Sequence, residues 1–582
     1  MNIKLSKLTA AFLGSAMLLT LHGAFPVNAA ELSEANGTET LSGTRYTGAT
    51  SAPLKTPTCN NPISSEVFCA DPTSVEYNGR LYVFGTNDHQ QYEEKGADAD
   101  NTYERIKSLV IFSTEDMVNW VYHGTINVGE IAPWIVSSWA PSIESRVEAD
   151  GLTHFYLYFS NNGTGVGVLT ATDPLGPWSD PLGEPLISYH TPGLTDCPNP
   201  FDPGVLIDEN GVGWLTFGGG KSPNGTDAMP GSARIVQLGD DMLSFASDFK
   251  EIPAPYFFEA SELNYINGTY VYTYNSDWSD HSLQWDYDVP APSQCSMVYM
   301  TTKTPLDPDS WEVRGEYFPN PGSSGFSYSN NHTHLQKYKG SWYLLFHTLS
   351  LKAAMGIQGG YRSLCVNEIA VDEEQVRITK TGGTKAGVVT PAAYVDPYAA
   401  QSGAALNSTA DVTLRTEESE PLAVSDTAGA WTSVRNVTFS EPNADGKQPT
   451  YRSLTFLAEV TGTGRIEVRL DSPNGALLTS LDFASADTFT TVYNKSVAEV
   501  GGTHELYFVF SGEGIAVKSW RFDDTEAEVV GAPSPTAAPA AKEETAPASP
   551  DGRTAALLAA GVLALAAIVF AVLLRKKRKK GA

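Results

Sequence analysis

Five stretches of this chain share one pattern: an opening residue, a strand, a turn glycine, and a second strand rich in aromatic and β-branched residues. They are DPTSVEYNGRLYVFG from Asp71, APSIESRVEADGLTHFYLYFS from Ala140, DPGVLIDENGVGWLTFG from Asp202, EASELNYINGTYVYTYN from Glu259 and HTHLQKYKGSWYLLFH from His332. Each reads as a β-hairpin, because glycine supplies the positive φ of a tight turn and alternation at period two gives the strand a core-facing side. The turn glycines Gly79, Gly151, Gly211, Gly268 and Gly340 stand 72, 60, 57 and 72 residues apart. That spacing holds a four-stranded antiparallel blade with its loops, and its recurrence predicts a five-bladed β-propeller over residues 56–385. A sandwich is the alternative for short repeated strands, but it has no place for hairpins that return at so long a period.

In a radially repeated fold, equivalent positions lie on one ring. Asp71, Ala140, Asp202, Glu259 and His332 open their copies, so they are expected around one mouth of the central channel, and three of them are carboxylates. Taken singly, an Asp-Pro before a strand reads as a turn initiator and Glu259 as half of a salt bridge. Taken together, in flanks that read as buried (Phe68, Cys69, Ala70, Phe201, Phe257, Phe258), they must be hydrogen-bonded or protonated, and they shift one another's pKa. Such a pattern marks a functional site more often than a structural one.

Glycosidic hydrolysis needs one protonated carboxyl to give a proton to the leaving oxygen and one ionised carboxylate to activate water or attack the sugar. Glu259, set among aromatic residues, is the expected general acid, since apolar burial and nearby negative charge both favour its protonated form. Asp71 is the expected general base, and Asp202 the residue that raises the acid's pKa and orients it.

The ends of the chain bound where it works. Residues 1–29 carry lysines ahead of an apolar run and end in Val27-Asn28-Ala29, the pattern of a signal peptide. Residues 523–553 form an acidic, then Pro/Ala-rich linker. Residues 554–574 carry no charge and precede a basic tail at 575–582, which predicts one transmembrane helix with its tail in the cytoplasm. The apolar span lacks a preceding LPxTG sorting motif, so the expectation is an exported protein of a bacterial, Gram-positive type surface, anchored in the membrane. A formal net charge of −29 argues against nucleic acid and for a neutral ligand. Of the five cysteines, Cys59 and Cys69 are near enough in sequence to pair, and none has metal-site spacing.

On these residues the chain resembles glycoside hydrolase family 43, five-bladed propellers acting on arabinose- and xylose-containing glycans. The resemblance runs from about Thr56 to Lys385. It rests on Cys69-Ala70-Asp71-Pro72, Phe201-Asp202-Pro203, Phe258-Glu259-Ala260-Ser261 and Trp139-Ala140-Pro141. It implies Asp71 as base, Asp202 as modulator and Glu259 as acid of an inverting reaction, with acid and base roughly 6.5–9.5 Å apart to admit a water. Ser142 departs from the aspartate that many members carry there. His332, in Asn330-Asn331-His332-Thr333-His334, matches a channel histidine that in several members binds a calcium ion or its water. No cofactor is required, and structural calcium at His332 is a candidate by resemblance alone, because neutral imidazole is a poor calcium ligand. Arg362, in Gly359-Gly360-Tyr361-Arg362-Ser363, matches an arginine that reaches into the pocket. Trp139 is expected to stack on a sugar or to pack between blades, and Glu262 to be structural.

Residues 394–522 change to short alternating strands and read as a β-sandwich resembling a family 6 carbohydrate-binding module, a jelly roll, with Trp431 and Trp520 in its core. The expected architecture is all-β: propeller, sandwich, linker and one transmembrane helix. The expected function is inverting release of α-L-arabinofuranosyl or β-D-xylosyl units from plant cell-wall arabinoxylan, arabinan or xylan, by a monomer. One rival is a retaining fructan-type hydrolase, whose NDPNG, RDP and EC signatures are absent; the other is a surface lectin that binds glycans without cleaving them.

Overall fold

The structure, a computed structural model, describes residues 54–56, 58–439 and 454–524. Five antiparallel sheets follow one another along the chain. The first holds β1 (Ala70–Tyr77), β2 (Arg80–Thr86), β3 (Leu109–Thr114) and β4 (Val121–Ile126). The second holds β5 (Trp139–Val147), β6 (Thr153–Ser160), β7 (Gly165–Ala171) and β8 (Ile187–Ser188), and the third β9 (Gly204–Ile207), β10 (Gly213–Phe217), β11 (Arg234–Gln237) and β12 (Lys250–Glu251). The fourth holds β13 (Phe257–Ile266), β14 (Thr269–Ser276), β15 (Met297–Thr302) and β16 (Glu312–Phe318). The fifth holds β17 (Thr333–Tyr338), β18 (Ser341–Thr348) and β19 (Ser363–Glu368). Each sheet opens with one of the five hairpins, and all five turn glycines have φ between 74° and 87°.

Packing closes the sheets into a ring, because each buries both faces. Tyr270, Tyr272 and Tyr274 of β14 pack with Leu206, Trp214 and Ile235 of the third sheet. Val271, between them on the opposite face, packs with Leu335, Leu344 and Phe346 of the fifth. Similar seams join the first sheet to the second and the second to the third. The last seam sets Tyr343, Leu345 and Val366 of the fifth sheet against Leu81, Val83 and Phe112 of the first. Inner strands touch in the order β1, β5, β9, β13, β17 and back to β1, so the molecule has the five-bladed propeller expected. The fifth blade has three strands where four were expected. The chain entering β1 meets its edge instead, with Ile63 N donating to Leu364 O at 2.8 Å and Cys69 N to Arg362 O at 2.9 Å.

Beyond the propeller lies a C-terminal β-rich domain whose eight strands are hydrogen-bonded into one sheet. Its strands are long: Leu454–Leu470 has 17 residues, Leu477–Asn494 has 18 and Thr503–Asp524 has 22. Two of them cross at Gly464 and Gly512, where a Cβ on either residue would lie within 2.2 Å of the partner strand's carbonyl oxygen. Glycine is needed there for that close approach. Trp431 and Trp520 are both 2% exposed and belong to the core, as expected. The domain is stapled to the turn between β3 and β4: Trp120 and Leu406 exchange backbone hydrogen bonds at 2.8 and 2.9 Å, and Asn119 Nδ2 donates to Arg435 O at 2.9 Å. Strand register puts that turn at the end of blade 1 opposite to Asp71, since Ala70 pairs with Thr86 and Thr86 with Leu109, while Leu81 pairs with Thr114.

The architecture supported is the propeller and the β-rich domain, which corrects the expectation of a terminal transmembrane helix. Among the described residues no helix is long and apolar enough to cross a membrane. The expected span at 554–574, the linker and tail around it, and the signal peptide at 1–29 lie outside the described residues. The membrane as partner and the membrane-anchored location are withdrawn with the helix. The pairing considered for Cys59 and Cys69 is not formed, since all five cysteines are free.

Candidate active site

Inner strands of a regular blade would carry their first side chains along the channel wall, and local backbone distortion turns them into the mouth instead. Asp71, Ala140, Asp202 and Ala260 have left-handed backbone, with φ of 49°, 35°, 50° and 60°. Register shifts in β1, β5 and β13 span Asp71, Ala140 and the Glu259–Ala260 pair. Non-glycine residues at such φ are uncommon, and bulges of this kind re-aim side chains next to active sites. The result is an open pocket of about 450 Å³ lined by Asp71, Trp139, Asp202, Glu259, His332 and Arg362. All six residues singled out from the sequence therefore meet there, joined by Tyr103, Ala140, Phe201 and Asn330.

Asp71 is 5% exposed and held on both oxygens. Arg362 Nη1 donates to Oδ1 at 2.8 Å and Thr86 Oγ1 donates to Oδ2 at 2.7 Å. Its backbone N donates to His347 Nδ1 at 3.2 Å, which makes that nitrogen the acceptor and leaves Nε2 to donate to Asn330 O at 3.0 Å. Burial raises the Asp71 pKa, but Arg362 and then the two neighbouring histidines and Thr86 outweigh it and bring it down to about 2. Burial and the Arg362 charge lower His347 as well, to about 3, so it stays neutral. His332 Nδ1 stands 3.7 Å from Asp71 Oδ1.

Asp202 accepts from Ser160 Oγ at 3.2 Å and from the backbone N of Ala260 at 2.9 Å. Through that second bond it grips the strand at the residue after Glu259. Burial, reinforced by the charge of Asp71, raises Asp202 to about 6. Glu259 is half-buried on the pocket wall. Burial, then the charges of Asp202 and Asp71, push its carboxyl up to about 8, with Arg362 a weaker opposing influence. The site thus holds one carboxylate that is ionised at any ordinary pH and one carboxyl that keeps its proton at neutral pH, the division that acid–base hydrolysis requires.

Trp139 lines the pocket, with its indole N–H committed to Tyr103 O at 3.0 Å. Arg362 lies 4.7 Å above the Tyr103 ring, a cation–π contact. Glu262 is outside the pocket and pairs with His334 at 3.3 Å, in keeping with a structural role. The donor set does not suit calcium. His332 faces Asp71, and among the described residues no group of three or more histidine, cysteine or carboxylate side chains is arranged to hold a metal ion. Thr86, Asp88, Tyr103 and Ser160 escaped the sequence reading. Asp88 follows an asparagine that caps a short helix, α1 (Asp88–Lys95), so from sequence it reads as an ordinary first-turn acid.

A ring of strands with one ionised and one protonated carboxyl group at its mouth is an arrangement suited to a glycoside hydrolase acting on O-glycosyl bonds. The family model described as glycosyl hydrolases family 43 matches residues 59–376, and that of carbohydrate binding module family 6 matches 397–524. The chain belongs to glycosyl hydrolases family 43 and carries a C-terminal domain similar to family 6 modules. It is 33% identical over 504 residues to an arabinoxylan arabinofuranohydrolase of Paenibacillus polymyxa, covering 81% of this chain and 76% of that protein. It is 34% identical over 503 residues to an arabinoxylan arabinofuranohydrolase of Bacillus subtilis, covering 81% of this chain and 94% of that one. The crystal structure of a family 43 arabinoxylan arabinofuranohydrolase from Bacillus subtilis in complex with cellotetraose superposes with a TM-score of 0.71 at 32% identity, covering 80% of this chain and 98% of that chain.

Proposed function

We propose that this enzyme releases α-L-arabinofuranosyl units, and in its broader class xylosyl units, from arabinoxylan-type plant cell-wall glycans by inverting hydrolysis. One observation carries the mechanism: Asp71 and Glu259 face the same pocket with their pKa values pushed to about 2 and about 8. Glu259 hands its proton to the leaving glycosidic oxygen as the bond to the anomeric carbon breaks. Asp71 takes a proton from a water whose oxygen attacks that carbon from the opposite face. Arg362 and Thr86 fix the plane of the Asp71 carboxylate. Asp202 steadies the strand behind Glu259, and its charge keeps the proton on the acid. The two long relatives support arabinose over xylose, since both are named for arabinofuranose release from arabinoxylan.

The test is arabinose release from arabinoxylan, arabinan and xylo-oligosaccharides by wild type, Glu259→Ala and Asp71→Ala. Arabinose from arabinoxylan, released about 100-fold or more slowly by both variants, is expected. Near-wild-type activity of either variant on the polymer overturns the assignment of roles.

A further inference from the structure

The pocket mouth holds a single guanidinium among several carboxylates, and it favours the ionised form of the carboxyl it rests on. Arg362 is 3% exposed and does not rest on Asp71 alone. Its Nε and Nη2 donate to Asp88 Oδ2 and Oδ1 at 2.9 and 2.8 Å, a two-pronged fork, and its backbone N donates to Asp88 Oδ2 at 2.9 Å. Asn101 Nδ2 adds the fourth bond to the Asp88 carboxylate, on Oδ2 at 2.8 Å. Asp88 itself is fully buried, 0% exposed. With both inner nitrogens of the fork taken, the nitrogen left over is Nη1, and it points at Asp71. The Tyr103 ring closes the remaining face of the guanidinium.

We infer that Asp88 is a positioning residue that keeps Arg362 on the Asp71 side of the pocket and away from Glu259. This rests on the reading of Glu259 as the acid. An acid that must stay protonated is spoiled by a mobile cation, which favours the ionised form. Arg362 already acts on Glu259 as its one acid-strengthening neighbour, and a released guanidinium has Asp71, Asp202 and Glu259 to move toward. The titratable groups that face Arg362 and Glu259 are, besides these three and Asp88, Tyr103, His332, His347 and Cys295. His347 is fixed as a neutral acceptor by the Asp71 amide, and none of the others supplies a second carboxylate fork for the guanidinium.

The experiment is the pH dependence of kcat/KM on phenyl α-L-arabinofuranoside, whose poor leaving group needs the acid. The proteins are wild type, Asp88→Asn, Asn101→Ala and Glu259→Ala, each checked by thermal melting. Asp88→Asn is expected to lower kcat about tenfold or more with little change in KM, and to move the alkaline limb about one pH unit toward acid, because a cation nearer Glu259 strips its proton earlier. A role confined to holding the loop together lowers the melting temperature and leaves the limb in place; in a folded Asp88→Asn that result overturns the inference. Should Asp88→Asn fail to fold, Asn101→Ala decides: it removes one of the four bonds on Asp88, so a smaller shift in the same direction upholds the inference and an unmoved limb overturns it. Glu259→Ala separates the two levels, since an alkaline limb that survives this substitution contradicts Glu259 as the acid whatever Asp88 does.

Discussion

At the propeller mouth Asp71, Asp88 and Glu259 share one guanidinium, that of Arg362, with Asp202 beside them, whereas in the C-terminal domain each buried glutamate among the described residues has an arginine close by. There Arg435 stands 3.2 Å from Glu505, and Arg469 stands 2.6 Å from Glu467. Both regions bury charge, but only one is left with more acid than base beside an open pocket. A balanced pair offsets its own desolvation and holds strands together; an acidic surplus has to resolve itself by keeping a proton. Under the proposed mechanism the first region is suited to proton transfer, and the second is suited to packing.

The largest expected effect breaks the first region. Glu259→Ala should lose about 100- to 10,000-fold in kcat on arabinoxylan. Part of that should return on aryl arabinofuranosides with good leaving groups, where the acid is needed less. Asp71→Ala should fall as far with no such recovery, and the opposite pattern exchanges the two roles. In the second region, Trp520→Ala should cost about 3–5 kcal/mol of stability by opening a cavity in the core, read as a lowered melting or denaturant midpoint. Provided the protein is folded at the assay temperature, its kcat on a small aryl arabinofuranoside should stay within about twofold of wild type, since the domain joins blade 1 at the end away from Asp71.

A smaller effect sharpens the line between ionised and protonated carboxyl groups. The acid works only while protonated, so kcat/KM should fall as pH rises through the Glu259 pKa, about 8. The base works only while ionised, and with Asp71 at about 2 its limb lies below the range in which the assay is run. A limb near 4 to 5 assigned to Asp71 contradicts the Arg362 contact as drawn. Smallest is Thr86→Val, which removes the hydroxyl between Asp71 Oδ2 and the Ala140 amide. Leaving those groups unpaired costs about 1–3 kcal/mol, and a fall in kcat of roughly tenfold is expected.

How much of this was written in the sequence follows from the kind of signal each feature leaves. The five turn glycines were legible because a left-handed turn position selects glycine, and their spacing carried the ring. Asp71, Asp202 and Glu259 were legible because register in a repeated fold predicts convergence. The bulges that turn them into the pocket were not, since Ala140 and Ala260 adopt positive φ without glycine's signature. Asp88 was hidden for a different reason: its partner Arg362 is 274 residues away, and nothing near it in sequence distinguishes it from any acid in a helix's first turn. The C-terminal strands looked short because Gly462, Gly464, Gly512 and Gly514 interrupt the apolar alternation, yet the backbone continues through them. The short fifth blade was likewise unreadable, because its edge is met by residues from the opposite end of the propeller sequence.

A single displacement by an acid and a base on one pocket inverts the anomeric centre. Following the first product by proton NMR during rapid hydrolysis of an α-L-arabinofuranoside should show β-L-arabinofuranose before it mutarotates. If the α-anomer appears first, one of the carboxylates has attacked the sugar directly, and the assignment of Asp71 as a base acting on water is wrong.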